Sequence, residues 1–178
     1  MKGILIYGSR YGSTEKYASE LSSRTDIPAV NYKSSPRLTG FDTIVYMGAL
    51  YAGGIMGLRK TLGALTPDSG RRLIIVTVGL ADPQIPENRE SILSSLRSQL
   101  PPELFQTAQI FHLRGGIDYG RLSLGHRTAM ALLNKSINLR PRKSWSAEDQ
   151  AIQDTYGKKV DFVDFNTLIP IIDVLGSR

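Results

Sequence analysis

The sequence has no cysteine and no long apolar run, and these two absences exclude several classes of protein. A chain without cysteine has no disulfide framework, no thiolate metal site and no cysteine nucleophile. No stretch approaches the roughly 20 apolar residues of a membrane-spanning helix, and the run from Ile4 to Tyr7 is too short for the core of a signal peptide. We therefore expect a soluble, cytoplasmic protein.

Acidic residues are missing from one long segment, Tyr119 to Ala147. The whole chain carries 22 Lys and Arg against 16 Asp and Glu, a formal net charge of +6. The six basic residues of the acid-free segment account for this whole excess of positive charge. They are Arg121, Arg127, Lys135, Arg140, Arg142 and Lys143. The rest of the chain is therefore neutral. Because no nucleic-acid-binding motif accompanies the basic segment, we expect no nucleic-acid partner.

Short apolar runs alternate with stretches of helical spacing along the 178 residues. Strands are predicted over residues 2–8, 27–32, 43–47, 72–78 and 106–113. Helices are predicted over residues 14–24, 55–65, 86–100, 121–137, 146–156 and 162–175, with a break at Pro170 and a capping box from Ser146 to Asp149. Continuously apolar strands between helices are typical of a parallel sheet covered on both faces. We predict a single α/β domain over residues 1–178.

The loop between the first strand and the first helix has the chemistry of a phosphate site. Its sequence from Gly8 to Thr14 is GSRYGST. A helix N-terminus stabilises an anion, the three hydroxyl groups can donate to phosphate oxygens, and Gly12 lets the backbone come close. The loop lacks the lysine of the P-loop and the glycine spacing of dinucleotide sites. A tight turn with a helix cap is the alternative interpretation.

The stretch from Leu5 to Ala18, LIYGSRYGSTEKYA, resembles the flavodoxin signature at every position that the signature specifies. The resemblance implies a flavodoxin-like doubly wound parallel sheet of five strands in the order 2-1-3-4-5, with helices on both faces. It also implies FMN as the cofactor. The FMN phosphate would be held by the hydroxyl and backbone N–H groups of Ser9, Arg10, Tyr11, Gly12, Ser13 and Thr14.

Three later loops complete the implied flavin site. The loop from Gly48 to Gly54 is similar to the one that runs beside the isoalloxazine ring, where Tyr51 would stack unless it is an ordinary loop aromatic. The loop from Gly79 would contact the pyrimidine edge through backbone groups, and the loop after the fifth strand lies near the same site. The residues implied are Ala49, Leu50, Tyr51, Ala52, Gly53, Gly79, Leu80, Ala81, Asp82, Gly116, Asp118 and Tyr119. No catalytic residue and no metal site is predicted.

The last third of the chain favours an oxidoreductase. Leu113 to Tyr119, LRGGIDY, and the basic stretch that follows are similar to the flavodoxin-domain branch that includes menaquinone-dependent protoporphyrinogen oxidase. This similarity implies an FMN-dependent oxidoreductase acting on a porphyrinogen-like or quinone substrate. A flavodoxin-type electron carrier that docks to redox partner proteins is the alternative. Residues 121–143 form either a solvated basic face or a contact with the inner membrane surface.

Overall fold

The computed structural model describes residues 2–51, 54–66 and 70–176, and a parallel sheet forms its centre. The strands are β1 (Gly3–Gly8), β2 (Ala29–Asn31), β3 (Thr43–Tyr51), β4 (Gly54–Ile55), β5 (Arg72–Gly79), β6 (Gln109–Arg114), β7 (Gly116–Asp118) and β8 (Lys159–Asp161). The helices are α1 (Ser13–Thr25), α2 (Leu58–Leu62), α3 (Pro86–Arg97), α4 (Pro102–Thr107), α5 (Leu124–Asn138), α6 (Ala147–Thr155) and α7 (Ile169–Gly176).

The main sheet has the predicted topology. Its parallel strands follow the order β2-β1-β3-β5-β6, and the short β4 pairs antiparallel with the end of β3. In chain order, β5 and β6 are the fourth and fifth of these parallel strands. The observed order is therefore the predicted 2-1-3-4-5. A separate antiparallel pair joins β7 to β8, with Ile117 opposite Val160.

Side chains alternate between the two faces of the sheet, so each face has its own apolar core. On one face, Val45 belongs to a buried cluster with Leu21 of α1 and Ile171 of α7. On the other face, Tyr46 belongs to a cluster with Leu96 of α3, and α2 and α4 contribute further side chains. Helices therefore cover both faces, which confirms the predicted doubly wound α/β architecture.

A third apolar cluster lies beyond the carboxyl ends of the strands. It joins Leu80, just after β5, to Ile117 of β7, Met130 of α5 and Ile152 of α6. We call residues 116–161 the cap, because they cover the edge where the strands of the main sheet end. The cap is the part of the fold that shapes the candidate site.

Local differences from the predictions have clear causes. The helix predicted over residues 55–65 is confined to α2, since Ile55 pairs back against Leu50 and Gly57 adopts a φ of 79° just before the helix. A left-handed conformation of this kind favours glycine. Pro170 does not break the last helix. It is the second residue of α7, where its missing N–H needs no partner. The predicted capping box of Ser146 and Asp149 is confirmed.

Candidate functional site

The candidate site lies where four parallel strands end side by side. Gly8 of β1 is opposite Gly48 of β3, and Gly79 of β5 is opposite Arg114 of β6. The loops that leave these strands meet the cap around one cavity, which we call the inner cavity. Open α/β sheets bind their ligands at this edge, so the fold places the predicted loops where a ligand site is expected.

The first loop presents the N-terminus of α1 to the inner cavity. Gly12 has a φ of 94° and precedes the first residue of the helix, and its N–H donates to the Ser9 hydroxyl at 3.1 Å. Thr14 is almost fully buried and lines the cavity. No described residue forms a hydrogen bond with the Thr14 hydroxyl. The helix N-terminus and this hydroxyl together are suited to bind an anion.

Ser13 links the first loop to the cap. Its hydroxyl oxygen accepts a hydrogen bond from the Gly116 N–H at 2.9 Å and lies 3.3 Å from the Gly116 carbonyl oxygen. The Ser13 side chain is therefore engaged with the backbone of β7. This contact holds the start of α1 against the strand that follows β6.

Arg10 and two tyrosines form the mouth of the inner cavity. The Arg10 guanidinium lies 4.7 Å from the centre of the Tyr51 ring, and Tyr11 packs edge-on against Tyr51 with 6.3 Å between ring centres. The Arg10 Nε is buried without a hydrogen-bond partner among the described residues. Burial is also the main reason why the pKa of the Tyr11 hydroxyl is raised. An anionic ligand would satisfy the orphaned Arg10 donor.

Glu148 of α6 is the residue of the site that the sequence did not indicate. Its carboxylate accepts hydrogen bonds from the Leu80 N–H at 2.9 and 3.1 Å and from the Ala81 N–H at 3.1 Å. Burial raises the pKa of the Glu148 carboxyl to about 7, although these hydrogen bonds and the positive Arg114 oppose the rise. An acidic residue in the first turn of a capped helix is common, so no local pattern distinguishes Glu148.

The structure brings together most of the predicted site residues. The predicted residues that line the inner cavity are Arg10, Tyr11, Ser13, Thr14, Ala49, Leu50, Tyr51, Gly79, Leu80 and Gly116. Further lining comes from Val78, Gly115, Ile117, Met130, Glu148 and Ile152, which were not predicted.

The remaining described residues of the predicted site do not line the inner cavity. Ser9, Gly12 and Ala81 support its walls through the backbone contacts given above, and Asp82 lies 3.5 Å from the Arg114 guanidinium. Asp118 accepts a hydrogen bond from Gly120 N–H at 3.0 Å. Tyr119 packs edge-on against Tyr156, and both rings belong to the cap. Ala52 and Gly53 lie outside the described residues.

A second, outer cavity opens beside the first loop. Its volume is about 410 Å³, whereas that of the inner cavity is about 50 Å³. Basic side chains line it, namely Arg10, Lys16, Arg121 and Lys159. Lys16 pairs with Asp161 at 3.5 Å and Lys159 with Asp118 at 3.7 Å. Among the described residues, neither Arg10 nor Arg121 has an acidic partner, so the outer cavity attracts anions.

The inner cavity has the donors for a flavin nucleotide but not the room for its ring system. The N-terminus of α1, the Thr14 hydroxyl and Arg10 fit a phosphate. The Tyr51 ring and the backbone of the Gly79 loop have the character of a flavin site, and Glu148, Met130 and Ile152 of the cap line the same cavity. The volume of about 50 Å³ is well below the several hundred Å³ of most small-molecule sites.

Within residues 2–51, 54–66 and 70–176, no group of three or more His, Asp or Glu side chains could hold a metal ion. None of the helices in these ranges has the length and apolar character that crossing a bilayer requires.

A comparison with protein families gives a match that covers most of the chain. The model of the flavodoxin domain family matches residues 4–143. Curated proteins include no match to this sequence. Among solved structures, the chain is similar to a Bacteroides uniformis protein provisionally named a flavoprotein, with 14% sequence identity, a TM-score of 0.44 and coverage of 64% of this chain and 90% of that chain. A similarity this low carries no argument of its own.

The matched residues run from β1 through the first loop and all five parallel strands to the basic segment after α5. They include every strand end that surrounds the inner cavity. Because the match covers well over half of the chain, this protein belongs to the flavodoxin domain family, which implies a flavin as its cofactor.

Proposed function

We propose that this protein is an FMN-binding oxidoreductase whose flavin site is the inner cavity. The observation that carries the proposal is the buried Arg10 Nε, which has no hydrogen-bond partner among the described residues. Arg10 lines the cavity together with Thr14 at the start of α1, and no described residue is hydrogen-bonded to the Thr14 hydroxyl. A phosphate supplies acceptors for both groups, and the flavodoxin family supplies the reason to name a flavin phosphate.

The residues of the site divide into two sets of roles. The hydroxyls of Ser9 and Thr14, the N–H groups at the start of α1 and the Arg10 guanidinium would hold the phosphate. The Tyr51 ring would pack on the isoalloxazine face, and the backbone of residues 79–82 would bind its pyrimidine edge. When bound, FMN supplies one- and two-electron redox chemistry. We propose FMN rather than FAD because the loop has no glycine pattern for a pyrophosphate.

The outer cavity favours an enzyme over an electron carrier. It adjoins the inner cavity, since Arg10, Tyr11, Ser13, Gly116 and Ile117 line both. Its volume of about 410 Å³ falls within the range of small-molecule sites. Its unpaired cations, Arg10 and Arg121, suit an anionic group on the substrate. We propose a quinone or a carboxylate-bearing porphyrinogen-like compound as substrate, and a single catalytic domain over residues 1–178.

The identity of the released cofactor and the turnover of a substrate test this function. Protein purified with its cofactor and then denatured is expected to release FMN, identified by chromatography against FMN, FAD and riboflavin standards. The FMN-loaded protein is expected to oxidise a porphyrinogen with a quinone as electron acceptor. Release of FAD would contradict the FMN assignment. Electron exchange with redox proteins but with none of the small molecules would favour the carrier instead.

An exposed apolar face on α5 supports a contact with an anionic membrane surface. Leu124, Leu132 and Leu139 are exposed to solvent by 81%, 63% and 78%. At 3.6 residues per turn they lie within about a quarter of the helix circumference. Exposed basic residues surround them, including Lys135 and Arg142. Exposed leucines with basic neighbours are typical of helices that lie at membrane surfaces, so we place the protein at the cytoplasmic face of the inner membrane.

Vesicle binding of a leucine variant tests the membrane contact. The double variant Leu132→Ser and Leu139→Ser is expected to bind vesicles of anionic phosphatidylglycerol at least tenfold more weakly than the unchanged protein, because each leucine contributes about 1.5–3 kcal/mol when it is buried. Ile85→Ser, at an apolar residue of similar class outside α5, is the control and is expected to change nothing. Equal sedimentation of the double variant and the control with vesicles would contradict the contact.

A further inference from the structure

Two backbone amides of the proposed flavin site are already occupied by a side chain of the protein. The N–H groups of Leu80 and Ala81 follow β5, at the loop that would bind the pyrimidine edge of the ring. Both donate to the Glu148 carboxylate, at distances of 2.9 to 3.1 Å. An amide that donates to a carboxylate at this distance has no hydrogen left for a second strong acceptor. Glu148 and a flavin ring cannot use these donors at the same time.

Glu148 also takes up space that the ring requires. Its Oε2 would lie only 2.7 Å from a Cβ atom added at Gly79, which shows how closely the carboxylate approaches the end of β5. With Met130 and Ile152 it lines the inner cavity, whose volume is only about 50 Å³. The competition is therefore steric as well as a competition for hydrogen bonds.

A neighbouring cavity offers other hydrogen-bond donors within the surroundings of Glu148. Glu148 also lines a neighbouring cavity of about 80 Å³ between α3 and α6. The hydroxyl side chains of Ser91, Ser95 and Ser146 line the same cavity. Ser91 already accepts a hydrogen bond from the Ala147 N–H at 3.3 Å, so its hydroxyl hydrogen can be directed to a carboxylate.

We propose that Glu148 is an intramolecular competitor of the flavin ring: it holds the Leu80 and Ala81 amides in the flavin-free protein and swings toward the serine-lined cavity when flavin binds. This inference rests on the proposed FMN site and deepens it. It assigns Glu148 as a positioning residue that sets flavin affinity and keeps the empty site ordered. Burying two unsatisfied amides would cost the flavin-free protein stability, and Glu148 prevents that cost.

The charged groups around Glu148 influence its ionisation, and the competition with flavin therefore depends on pH. Arg114 and its partner Asp82 face it from β6 and the Gly79 loop, Asp149 follows it on α6, and Arg10 faces it from the first loop. The side chains that line these cavities from α3 and α5 are not titratable, namely Ser91, Ile92, Ser95 and Met130.

The sign of this pH effect follows from the two positions of the carboxyl. Burial raises the pKa of the Glu148 carboxyl from 4.5 to about 7 when it holds the amides, and after release the serine hydroxyls that can donate to the ionised carboxylate would lower its pKa. Between pH 4.5 and 7, the Glu148 carboxyl that holds the Leu80 and Ala81 amides is protonated, whereas the released carboxyl is ionised. Acid therefore favours the arrangement in which Glu148 holds the amides and competes with flavin. Flavin affinity is therefore expected to rise as pH increases toward 7 and to level off above it.

Flavin titrations of Glu148 variants test the proposal. Riboflavin is the probe, because it lacks the phosphate whose own ionisation near pH 6 would complicate the result. At pH 6, Glu148→Ala is expected to bind riboflavin at least tenfold more tightly than the unchanged protein. Glu148→Gln, which keeps the size and mimics the protonated carboxyl, is expected to bind riboflavin no more tightly than the unchanged protein at pH 6 and without the rise between pH 5 and 7. Asp154→Asn, an exposed change of the same charge on α6, is the control.

Amide hydrogen exchange gives a readout that is independent of flavin affinity. In the flavin-free protein, the Leu80 and Ala81 amides are expected to be protected, to exchange faster in Glu148→Ala, and to regain protection with riboflavin. Equal affinity and equal exchange in the unchanged protein and both Glu148 variants would overturn the competitor role while leaving the flavin site intact. No flavin binding by any variant would overturn the proposed function and this inference with it.

Discussion

Replacing Thr14 by valine is expected to weaken FMN binding about tenfold to hundredfold and to leave riboflavin binding unchanged. Thr14 is buried at the start of α1, and its hydroxyl has no partner among the described residues. A hydrogen bond from this hydroxyl to a phosphate oxygen is worth about 1.5–3 kcal/mol because the acceptor is charged. Valine has nearly the same shape, so the loss concerns the hydrogen bond rather than packing. Fluorescence titration with FMN and with riboflavin measures the two affinities.

The control for this variant lies at the other end of the same helix. Thr25 donates its hydroxyl to the Leu21 carbonyl at 2.7 Å, far from the inner cavity. Thr25→Val therefore changes the same chemical group in α1 and is expected to bind both flavins normally. If Thr14→Val loses affinity for riboflavin as much as for FMN, Thr14 does not contact the phosphate.

Replacing Tyr51 by alanine is expected to weaken the binding of FMN and riboflavin equally, by about tenfold to hundredfold. Tyr51 lines the inner cavity from the end of β3, and the Arg10 guanidinium packs against its ring at 4.7 Å. Stacking of a planar heterocycle on an aromatic side chain is worth about 1–3 kcal/mol, and removal of the ring eliminates it. The equal loss for both flavins distinguishes a ring contact from the phosphate contact of Thr14.

Tyr51→Phe is the matched variant, since it keeps the ring and removes only the hydroxyl. It is expected to bind both flavins within about twofold of the unchanged protein. Unchanged affinity in Tyr51→Ala would show that Tyr51 is an ordinary loop aromatic, the alternative that its sequence leaves open.

The sheet was predictable because each parallel strand is buried on both faces and therefore forms a continuous apolar run. The antiparallel strands β4, β7 and β8 were not, since each has two or three residues with a single apolar side chain, whereas the equally short β2 lies in the apolar run of residues 27–30. The start of α2 was missed for a related reason. The apolar spacing of its residues suits a helix from Ile55, but pairing of Ile55 with Leu50 and the positive φ of Gly57 delay it.

Some residues of the site could be predicted from local sequence, whereas others depend on how distant helices pack. The loops that carry Arg10, Thr14 and Tyr51 were predicted because they lie at strand ends, and the resemblance to the flavodoxin signature implied these particular residues. Glu148, Met130 and Ile152 belong to helices of the cap, and their places depend on how α5 and α6 dock. No motif within the cap specifies that docking, so the competitor for the flavin ring became visible only in the structure.

A crystal structure of the protein with FMN tests the central claim most directly. We expect the phosphate at the N-terminus of α1 within hydrogen-bond distance of the Thr14 hydroxyl, and the ring between Tyr51 and the Gly79 loop. The Leu80 and Ala81 amides would then donate to the flavin and no longer to Glu148. FMN located in the outer cavity with the inner cavity still closed, or bound at another edge of the sheet, would contradict the account.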